Sequence, residues 1–391
     1  MTSFLQFMSA PTTRRRGLLT AGWLALAGSV PRVRAAPATR DWRTWPFNRD
    51  SPWNMPLGEG ARFAQVAGLS SVHAGLNYDD RWTSAVVISR DSDPLVHVLI
   101  NTTWETSNWG MLARGVPNCG ASASQQADIR AAVQASDKTF TANPWSSLSP
   151  RQEIWKLPPS YHPASADFRS IVHFRPGACP SPDTDGLMAN FQPDGWVLDT
   201  YATIVLANGD IVSGGVASFV DARGDGTGWW NGRRASMIPS FAGLIRTGEL
   251  AAGHIPHAMA MVISSRFLAP TVTWPAFAFD RNSHAYSGSL PMGSLLGIPP
   301  AVDIDTLGLT DTGKVVARAA QNFGIYLVDS TNGDGATLLA ELNDPELRWP
   351  GWHRDVTTVT QSLQLVTNTS QAQPGGPGKR RAPLAPDFAV N

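Results

Sequence analysis

Cysteine is scarce in this sequence, since the 391 residues include only Cys119 and Cys179. So few cysteines exclude a disulfide-dense scaffold and every zinc or iron–sulfur site built from several cysteines. One disulfide between the two would suit an oxidising compartment, and two separately buried thiols are the alternative.

Several catalytic signatures are also missing. The sequence contains no G-x-S-x-G, H-E-x-x-H or G-x-x-x-x-G-K-[ST] motif, and no dinucleotide-binding fingerprint. The commonest serine hydrolases, zinc proteases and nucleotide-binding enzymes are therefore not the leading interpretations. No internal repeat occurs at solenoid or propeller spacing.

Long hydrophobic runs are absent beyond the N-terminus. There, Arg14–Arg16 precede an apolar run of about 13 residues, Leu18–Val30, and a small-residue cleavage site lies before Ala36. A membrane-spanning helix needs about 20 apolar residues, whereas this order of segments is typical of a secretory signal. Because paired arginines are typical of twin-arginine signals, we expect residues 1–35 to direct export by the Tat translocase. A general secretory signal is the alternative.

Export of this kind would give a periplasmic or extracellular protein without a membrane anchor. Residues 1–35 hold five of the 31 basic residues and none of the 31 acidic ones, so the remainder carries a net charge near −5. A negative net charge argues against nucleic acid as the partner.

Glycine and proline are abundant, with 35 and 30 residues, and favour many turns between short strands. Strand-like runs rich in β-branched and aromatic residues lie at 84–89, 95–100, 195–206, 211–219, 258–263, 294–298 and 325–329. The clearest hairpin is at 205–214, where Asn208-Gly209 supplies the turn. We expect a mostly-β fold, a single large β-sandwich or jelly roll, with a β-propeller as the alternative.

Helices are expected to be few and short. Candidates lie at 127–135, around 240–246 and at 311–323. The last has Thr310 as a candidate N-cap and Gly324 just after its end.

One β-rich catalytic domain is expected over residues 36–370. The tail, residues 371–391, contains Pro-Gly-Gly-Pro-Gly and few apolar side chains. Such a composition buries too little apolar surface to fold, so we expect the tail to be disordered.

Tryptophan is unusually frequent, with 15 residues. Its flat apolar face and single donor suit stacking on sugar rings, whose hydroxyl groups need hydrogen-bond partners. Trp229 and Trp230 lie in a loop rich in glycine and aspartate, and Trp274 precedes a polar loop at 280–286. We expect these three to bind substrate, while most of the others anchor the core.

Glycosidase chemistry needs two carboxyl groups about 5–10 Å apart, one as proton donor and one as nucleophile or base. Asp199 and Asp329 form the best pair, because each lies within or at the end of an apolar strand, where burial would perturb its pKa. His257 begins the strand at 258–263, from which it could act as acid, base or ligand.

A polysaccharide lyase would use a different set of residues. Tyrosine or histidine would remove the proton next to a uronate carboxylate, and arginine would neutralise that carboxylate. The candidates for proton removal are Tyr201, His257, His284 and Tyr326, and those for charge neutralisation are Arg233, Arg246 and Arg281. The sequence does not separate hydrolysis from β-elimination.

Short motifs along the chain resemble those of a broad group of secreted, carbohydrate-active-like bacterial proteins, mostly uncharacterised. They are Ser51-Pro52-Trp53-Asn54, Ala242–Arg246, Ile255-Pro256-His257-Ala258, Trp274-Pro275-Ala276, Pro291-Met292-Gly293 and Tyr326–Asp329. The resemblance covers nearly the whole chain after residue 36, and no motif in it is a catalytic signature. It implies export, a single β-rich domain and a shared site near His257 and Asp329, and it names no substrate.

Oxygen-rich turns at 221–226 and 332–335 are similar to calcium loops but lack the distal glutamate of an EF-hand. We therefore expect no cofactor, with calcium as the weaker alternative. Three classes of function remain: an enzyme that cleaves polysaccharide, a non-catalytic glycan-binding protein and a structural envelope protein. The length of the chain favours the enzyme, because binding modules are usually smaller.

Overall fold

Strands outnumber helices in the fold, which confirms the expected mostly-β class: 26% of residues are in strands and 19% in helices. The fold is given by a computed structural model. The residues that it describes are 39–77, 81–101, 108–139, 170–214, 217–227, 232–280, 285–331, 333–342 and 344–389. The expected signal peptide, 1–35, lies outside them.

The described residues contain the following elements. The strands are β1 (Thr39–Arg40), β2 (Phe63–Ala64), β3 (Ala74–Leu76), β4 (Ala85–Ile88), β5 (Leu95–Asn101), β6 (Ser170–His173), β7 (Met188–Phe191), β8 (Trp196–Thr200), β9 (Ile204–Val205), β10 (Ile211–Gly214), β11 (Ser218–Asp221), β12 (Met259–Ser264), β13 (Leu268–Val272), β14 (Leu290–Met292), β15 (Leu295–Gly297), β16 (Ile325–Thr331), β17 (Ala336–Leu338), β18 (Gln364–Val366) and β19 (Asp387–Phe388). The α-helices are α1 (Asn108–Ala113), α2 (Ala123–Thr139), α3 (Glu249–Ala252), α4 (Asp311–Asn322) and α5 (Trp352–Gln361).

The largest sheet among these strands has the order β2-β18-β15-β16-β12-β17-β3, with β12 and β16 parallel at its centre. Side chains alternate between its two faces, as the pleat requires. Met259 and Met261 pack towards α4 and α5, whereas Ala260 and Tyr326 pack in a second core on the opposite face.

A second sheet, β11-β8-β7-β4, lies against that second core. Its residues Ala189 and Val197 join the core shared with the large sheet. Met188 and Leu198, one residue away in each strand, point to the other side and pack with Ile211 of a third sheet. The third sheet has the order β6-β5-β10-β9, and α1 and α2 cover its outer face. The described elements therefore form helix, sheet, sheet, sheet and helix layers.

This layering does not confirm the finer expectation of a two-sheet sandwich or jelly roll. Three sheets are stacked, and each of the two outer sheets is covered by helices. The alternative, a propeller, needs four-stranded antiparallel blades. Neither four-stranded sheet in the described part of the chain fits, because β4 and β7 are parallel, as are β5 and β10.

Local turn chemistry explains several boundaries. The hairpin at 205–214 forms as expected: β9 and β10 are antiparallel, and Gly209 takes a φ of 86°. The Thr310 hydroxyl accepts a hydrogen bond from the Gly313 amide and caps α4. The expected helix at 240–246 is wrong. That segment forms a turn and a bridge from Ile245 to Ala340.

The expected disorder of residues 371–391 is also wrong for 371–389. The amides of Gly58 and Glu59 donate to the carbonyls of Gly375 and Lys379, and β19 pairs with β1. Composition misleads here because backbone hydrogen bonds and positive φ angles at glycines help to fix the segment, while Ala382 and Phe388 pack against the second core and Ala385 is buried. The compact unit accordingly runs over Pro37–Asn391 and does not end near 370.

Candidate active site

Polar side chains gather at one end of the contact between the large sheet and the second sheet. Asp199 and Tyr201 lie at the end of β8, and the antiparallel pairing of Met188 with Thr200 places the loop before β7 beside them. That loop contains Asp185. We call the cluster of Asp183, Asp185, Asp199, Tyr201, Arg233, Arg234, Asp280, Tyr286 and Asp329 the carboxylate cluster.

Asp185 and Tyr201 form the first contact in the carboxylate cluster. The Tyr201 hydroxyl donates to Oδ1 of Asp185 at 2.9 Å, and both residues are partly exposed. Gly214 allows β10 to approach this corner closely. Its amide donates to the Tyr201 carbonyl at 2.7 Å, and a Cβ at this position would lie 2.8 Å from that of Ala202.

Asp329 reaches the carboxylate cluster through an irregularity in β16. Met261 pairs with Leu327 but the next residue, Val262, pairs with Asp329, so β16 has one extra residue at this point. A bulge of this kind re-aims side chains. Because cross-strand partners share a face, Asp329 points with Val262 towards the second sheet. Without the bulge, alternation would turn it towards the helices.

Asp280 lies beside Asp329 and is held by two hydroxyl groups. Ser330 Oγ donates to Asp280 Oδ2 at 2.6 Å, and the Tyr286 hydroxyl donates to the same oxygen at 3.1 Å. The Ser330 amide donates to Asp329 Oδ1 at 2.9 Å. Ser330 thus ties the two carboxylates together.

Arg234 is the buried cation of the carboxylate cluster, with 4% of its surface exposed. Its guanidinium donates to the Trp82 carbonyl at 3.1 Å and to the Ser240 carbonyl at 3.4 Å. It also interacts electrostatically with Asp329, Asp185, Asp199 and Asp183. Burial lowers its pKa, and these carboxylates oppose that effect.

The carboxyl groups titrate in an unusual range. Burial raises the pKa of Asp329 to about 7; repulsion from Asp280 and Asp185 adds to this effect, and Arg234 opposes it. Burial also raises the pKa of Asp185 to about 6, against the hydrogen bond from Tyr201. Burial and the neighbouring Asp185 raise the pKa of Tyr201 well above its ordinary range. At neutral pH the cluster can therefore hold a proton on one carboxyl while another is ionised.

Asp199 belongs to the carboxylate cluster but is fully buried, with 0% of its surface exposed. The amide and hydroxyl of Ser240 both donate to its carboxylate. Burial raises its pKa to about 6, and the charge of Arg233 opposes that shift. Asp199 is therefore a buried part of the cluster and cannot itself touch a substrate, which corrects its expected catalytic role.

His257 lies at the other end of the strands. It precedes β12 by two residues, and the strands are in parallel register from Met259 with Ile325 to Val262 with Asp329. His257 and Val262 are five positions apart, a separation of about 16 Å in an extended chain. The expectation that His257 and Asp329 line one cleft is therefore wrong.

Buried ion pairs account for the surroundings of His257. Its Nε2 lies 3.1 Å from Glu249 Oε1, and Nδ1 lies 2.9 Å from the Ala258 carbonyl oxygen. Although burial lowers the pKa of His257, Glu249 and these hydrogen bonds raise it above its ordinary value overall. Arg246, 4% exposed, pairs with Glu341 through its Nε. We call His257, Glu249, Arg246 and Glu341 the ion-pair cluster.

The remaining expected site residues are placed as follows. Tyr326 is 1% exposed and packs edge-on against Trp53 in the core, so it is not accessible for catalysis. Arg233 donates to Ser218 Oγ within the carboxylate cluster. Trp274 is half-buried in the turn that leads to Asp280. Trp229, Trp230, Arg281 and His284 lie outside the described residues.

The remaining expectations concern the pairing of the two cysteines and a calcium site. Cys119 and Cys179 are joined in a disulfide. In the loop at 221–226, the Asp221 and Asp225 carboxylates accept hydrogen bonds from Arg223 and Thr227 of the same loop. Among the described residues, no group of three or more His, Cys, Asp or Glu side chains is arranged to hold a metal.

Sequence reasoning missed Asp183, Asp185 and Arg234. Asp183 and Asp185 lie in a short loop with no hydrophobic pattern, and the two acids before the β7 strand were the available signal. Arg234 follows the expected Arg233 directly, and only the fold shows which of the two is the buried cation. Asp280 and Tyr286 lie in the polar loop noted above. The contact of Asp280 with Ser330 of β16 depends on the tertiary fold, which the loop sequence does not reveal.

Comparisons with protein-family models, curated proteins and solved structures find no match for this chain. No helix in the described parts of the chain is long and apolar enough to cross a membrane.

Proposed function

We propose that this protein is an exported enzyme that hydrolyses glycosidic bonds, with Asp329 as the general acid and Asp185 as the second carboxylate. The observation that carries this proposal is the pair of partly exposed carboxyl groups beside the buried Arg234, with pKa values raised to about 7 and about 6. Glycosidases need this combination of a protonated and an ionised carboxyl group.

Each residue of the carboxylate cluster has a role in this scheme. Asp329 donates its proton to the glycosidic oxygen as the bond to the sugar breaks. Ionised Asp185, held in position by Tyr201, either attacks the anomeric carbon or removes a proton from the attacking water. The buried Arg234 stabilises the ionised carboxylates electrostatically. Its hydrogen bonds to the carbonyl groups of Trp82 and Ser240 keep it in place.

Hydrolysis fits the carboxylate cluster better than β-elimination. A lyase base must lose its proton readily, and the pKa of Tyr201 is raised by burial and by Asp185. Of the other expected bases, His257 is held in the ion-pair cluster and Tyr326 is buried in the core, while His284 lies outside the described residues. Export of the enzyme rests on the sequence pattern of residues 1–35 and is part of the proposal.

The test is to incubate the purified protein with a panel of neutral, amino-sugar and uronate polysaccharides, following reducing ends and absorbance near 235 nm together. Hydrolysis is expected to give new reducing ends without absorbance. Reducing ends with absorbance would mean β-elimination and would overturn the roles assigned to Asp329 and Asp185. Binding without either signal would favour a glycan-binding protein.

A further inference from the structure

A narrow cavity lies beside the ion-pair cluster. Four aromatic residues contribute to its wall, and they are Trp45, Phe47, Trp53 and Phe241. Arg246 and His257 also line the cavity, whereas their carboxylate partners, Glu341 and Glu249, do not. Both charged residues in the cavity wall are therefore basic.

The Arg246 side chain keeps one donor nitrogen without a protein partner. Arg246 is 4% exposed. Its Nε donates to Glu341, and its Nη2 donates to the Arg43 carbonyl at 2.8 Å. The third nitrogen, Nη1, is buried and has no hydrogen-bond partner among the residues that the structure describes. A buried charged donor left unpaired destabilises the fold, so a ligand that accepts from Nη1 would stabilise it.

A second buried arginine lies behind one part of the wall. Arg40, 5% exposed, donates to the carbonyls of residues 45–47, all three of which line the cavity. Asp387, the carboxylate that acts on Arg40 electrostatically, is paired with Arg49. Burial lowers the pKa of Arg40 to about 10, so its guanidinium is charged at neutral pH. This charge adds to the positive potential of the two basic residues in the wall.

The hydrogen bonds around the cavity suit an anion better than a water molecule. A buried water both donates and accepts, and it needs roughly two to four polar partners. The carbonyls of Pro46 and Phe47 each already accept from both Asn54 and Arg40. The Asn54 side-chain oxygen in turn accepts from the Trp45 indole at 2.8 Å. These acceptors are occupied, whereas an anion needs only a donor and positive charge.

We propose that this cavity binds a halide-sized monovalent anion, with Nη1 of Arg246 as its hydrogen-bond donor, and that the bound anion stabilises the fold. The cavity has room for about one water-sized group, so a sugar ring does not fit. Chloride is the natural probe. Because this site is separate from the carboxylate cluster, its occupancy is tested without any glycan.

The experiment measures the melting temperature of the purified protein at constant ionic strength, as chloride replaces gluconate, which is too large for the cavity. An anion that binds only the folded protein stabilises it by mass action. The wild type should therefore melt about 3 °C higher in about 100 mM chloride than in about 1 mM. A melting temperature that does not depend on chloride would overturn the proposal.

Bromide locates the site directly. Anomalous scattering from crystals grown in bromide should place an ion within hydrogen-bond distance of Nη1 of Arg246. A water molecule at that position, or bromide bound only elsewhere, would contradict the proposal even if chloride raised the melting temperature. This measurement uses the wild type and does not depend on any variant being folded.

The variant Arg246→Lys separates this site from general effects of salt. Lysine keeps a positive charge for Glu341 but lacks the branched guanidinium that supplies a further donor, so the chloride dependence should disappear. Arg380→Lys is the matched control, because Arg380 donates to the carbonyls of Pro56 and Pro374 but does not line this cavity. It should keep the wild-type response. A full chloride response in folded Arg246→Lys would overturn the role of Nη1.

Discussion

The two charged clusters lie at opposite ends of the same parallel strands, β12 and β16, and differ in how their charges are balanced. In the ion-pair cluster each charge has a partner, His257 with Glu249 and Arg246 with Glu341. In the carboxylate cluster, acids exceed bases and several remain partly exposed. Paired buried charges stabilise one arrangement of the chain. An unbalanced, accessible cluster with shifted pKa values is typical of a site that acts on a ligand.

Two of the sequence motifs contain residues of the ion-pair cluster, whereas the motif Tyr326–Asp329 contributes Asp329 to the carboxylate cluster. Arg246 ends the motif Ala242–Arg246, and His257 belongs to the motif Ile255–Ala258. Trp53, of a third motif, lines the same narrow cavity as Arg246 and His257. Of these motif residues, Arg246 and His257 are held in buried ion pairs.

The largest effect is expected when the general acid is removed. Asp329→Asn should lower kcat for polysaccharide about 10²–10⁴-fold, the usual contribution of a positioned proton donor. Rates of reducing-end release measure it, with Asp221→Asn as the control of equal charge. Full activity of Asp329→Asn would show that another residue is the general acid.

Breaking the ion-pair cluster should affect stability instead. Arg246→Met leaves the Glu341 carboxylate buried without its partner, which should lower the free energy of unfolding by about 3–5 kcal/mol. Urea denaturation measures the loss. The double variant Arg246→Met with Glu341→Leu should recover most of it, because an apolar pair can replace a buried ion pair.

Activity per folded molecule should stay near wild type in both Arg246 variants. If Arg246→Met instead abolished cleavage while the protein remained folded, the two clusters would not have the separate roles assigned here.

The Asp329→Asn variant should also be more stable than the wild type at pH 8, and not at pH 4. The folded pKa of about 7 lies above the ordinary value of 3.8, so the Asp329 carboxyl costs the fold stability progressively as pH rises from about 3.8 to 7, and the full cost remains above pH 7. The gain should be about 1–2 kcal/mol, an amount reduced for partial exposure. Denaturation curves at the two pH values measure it. An equal change at both would mean that ionisation is not the cause.

The smallest effect is expected at His257. Its folded pKa lies above the ordinary value of 6.5, so its charged form adds stability that is complete below about pH 6.5 and is lost as pH rises through the folded pKa. Subtracting His257→Gln from wild type should isolate a pH-dependent difference of about 1 kcal/mol. A difference that grows with pH would show that the imidazole is neutral in the fold.

Much of the secondary structure could be predicted from the sequence, because apolar alternation and turn residues act locally. The expected runs at 84–89, 258–263 and 325–329 contain β4, most of β12 and most of β16, respectively. The run at 195–206 is interrupted between β8 and β9, where Ala202 takes a φ of 45°.

The candidate site could be predicted only in part. Asp329 and Tyr201 were identified from strand positions, but the bulge that turns Asp329 towards the second sheet depends on the pairing of β12 with β16. The separation of His257 from Asp329 likewise follows from strand register, which periodicity within one strand does not contain.

The most direct test of the assignment of Asp329 uses leaving groups of different basicity. Once the panel identifies the sugar, Asp329→Asn and wild type are compared on its polysaccharide and on its 2,4-dinitrophenyl glycoside, whose leaving group needs no proton. We expect the variant to lose most of its activity on the polysaccharide but little of its rate of bond cleavage on the dinitrophenyl glycoside. Equal losses on both substrates would contradict the role of Asp329 as the general acid.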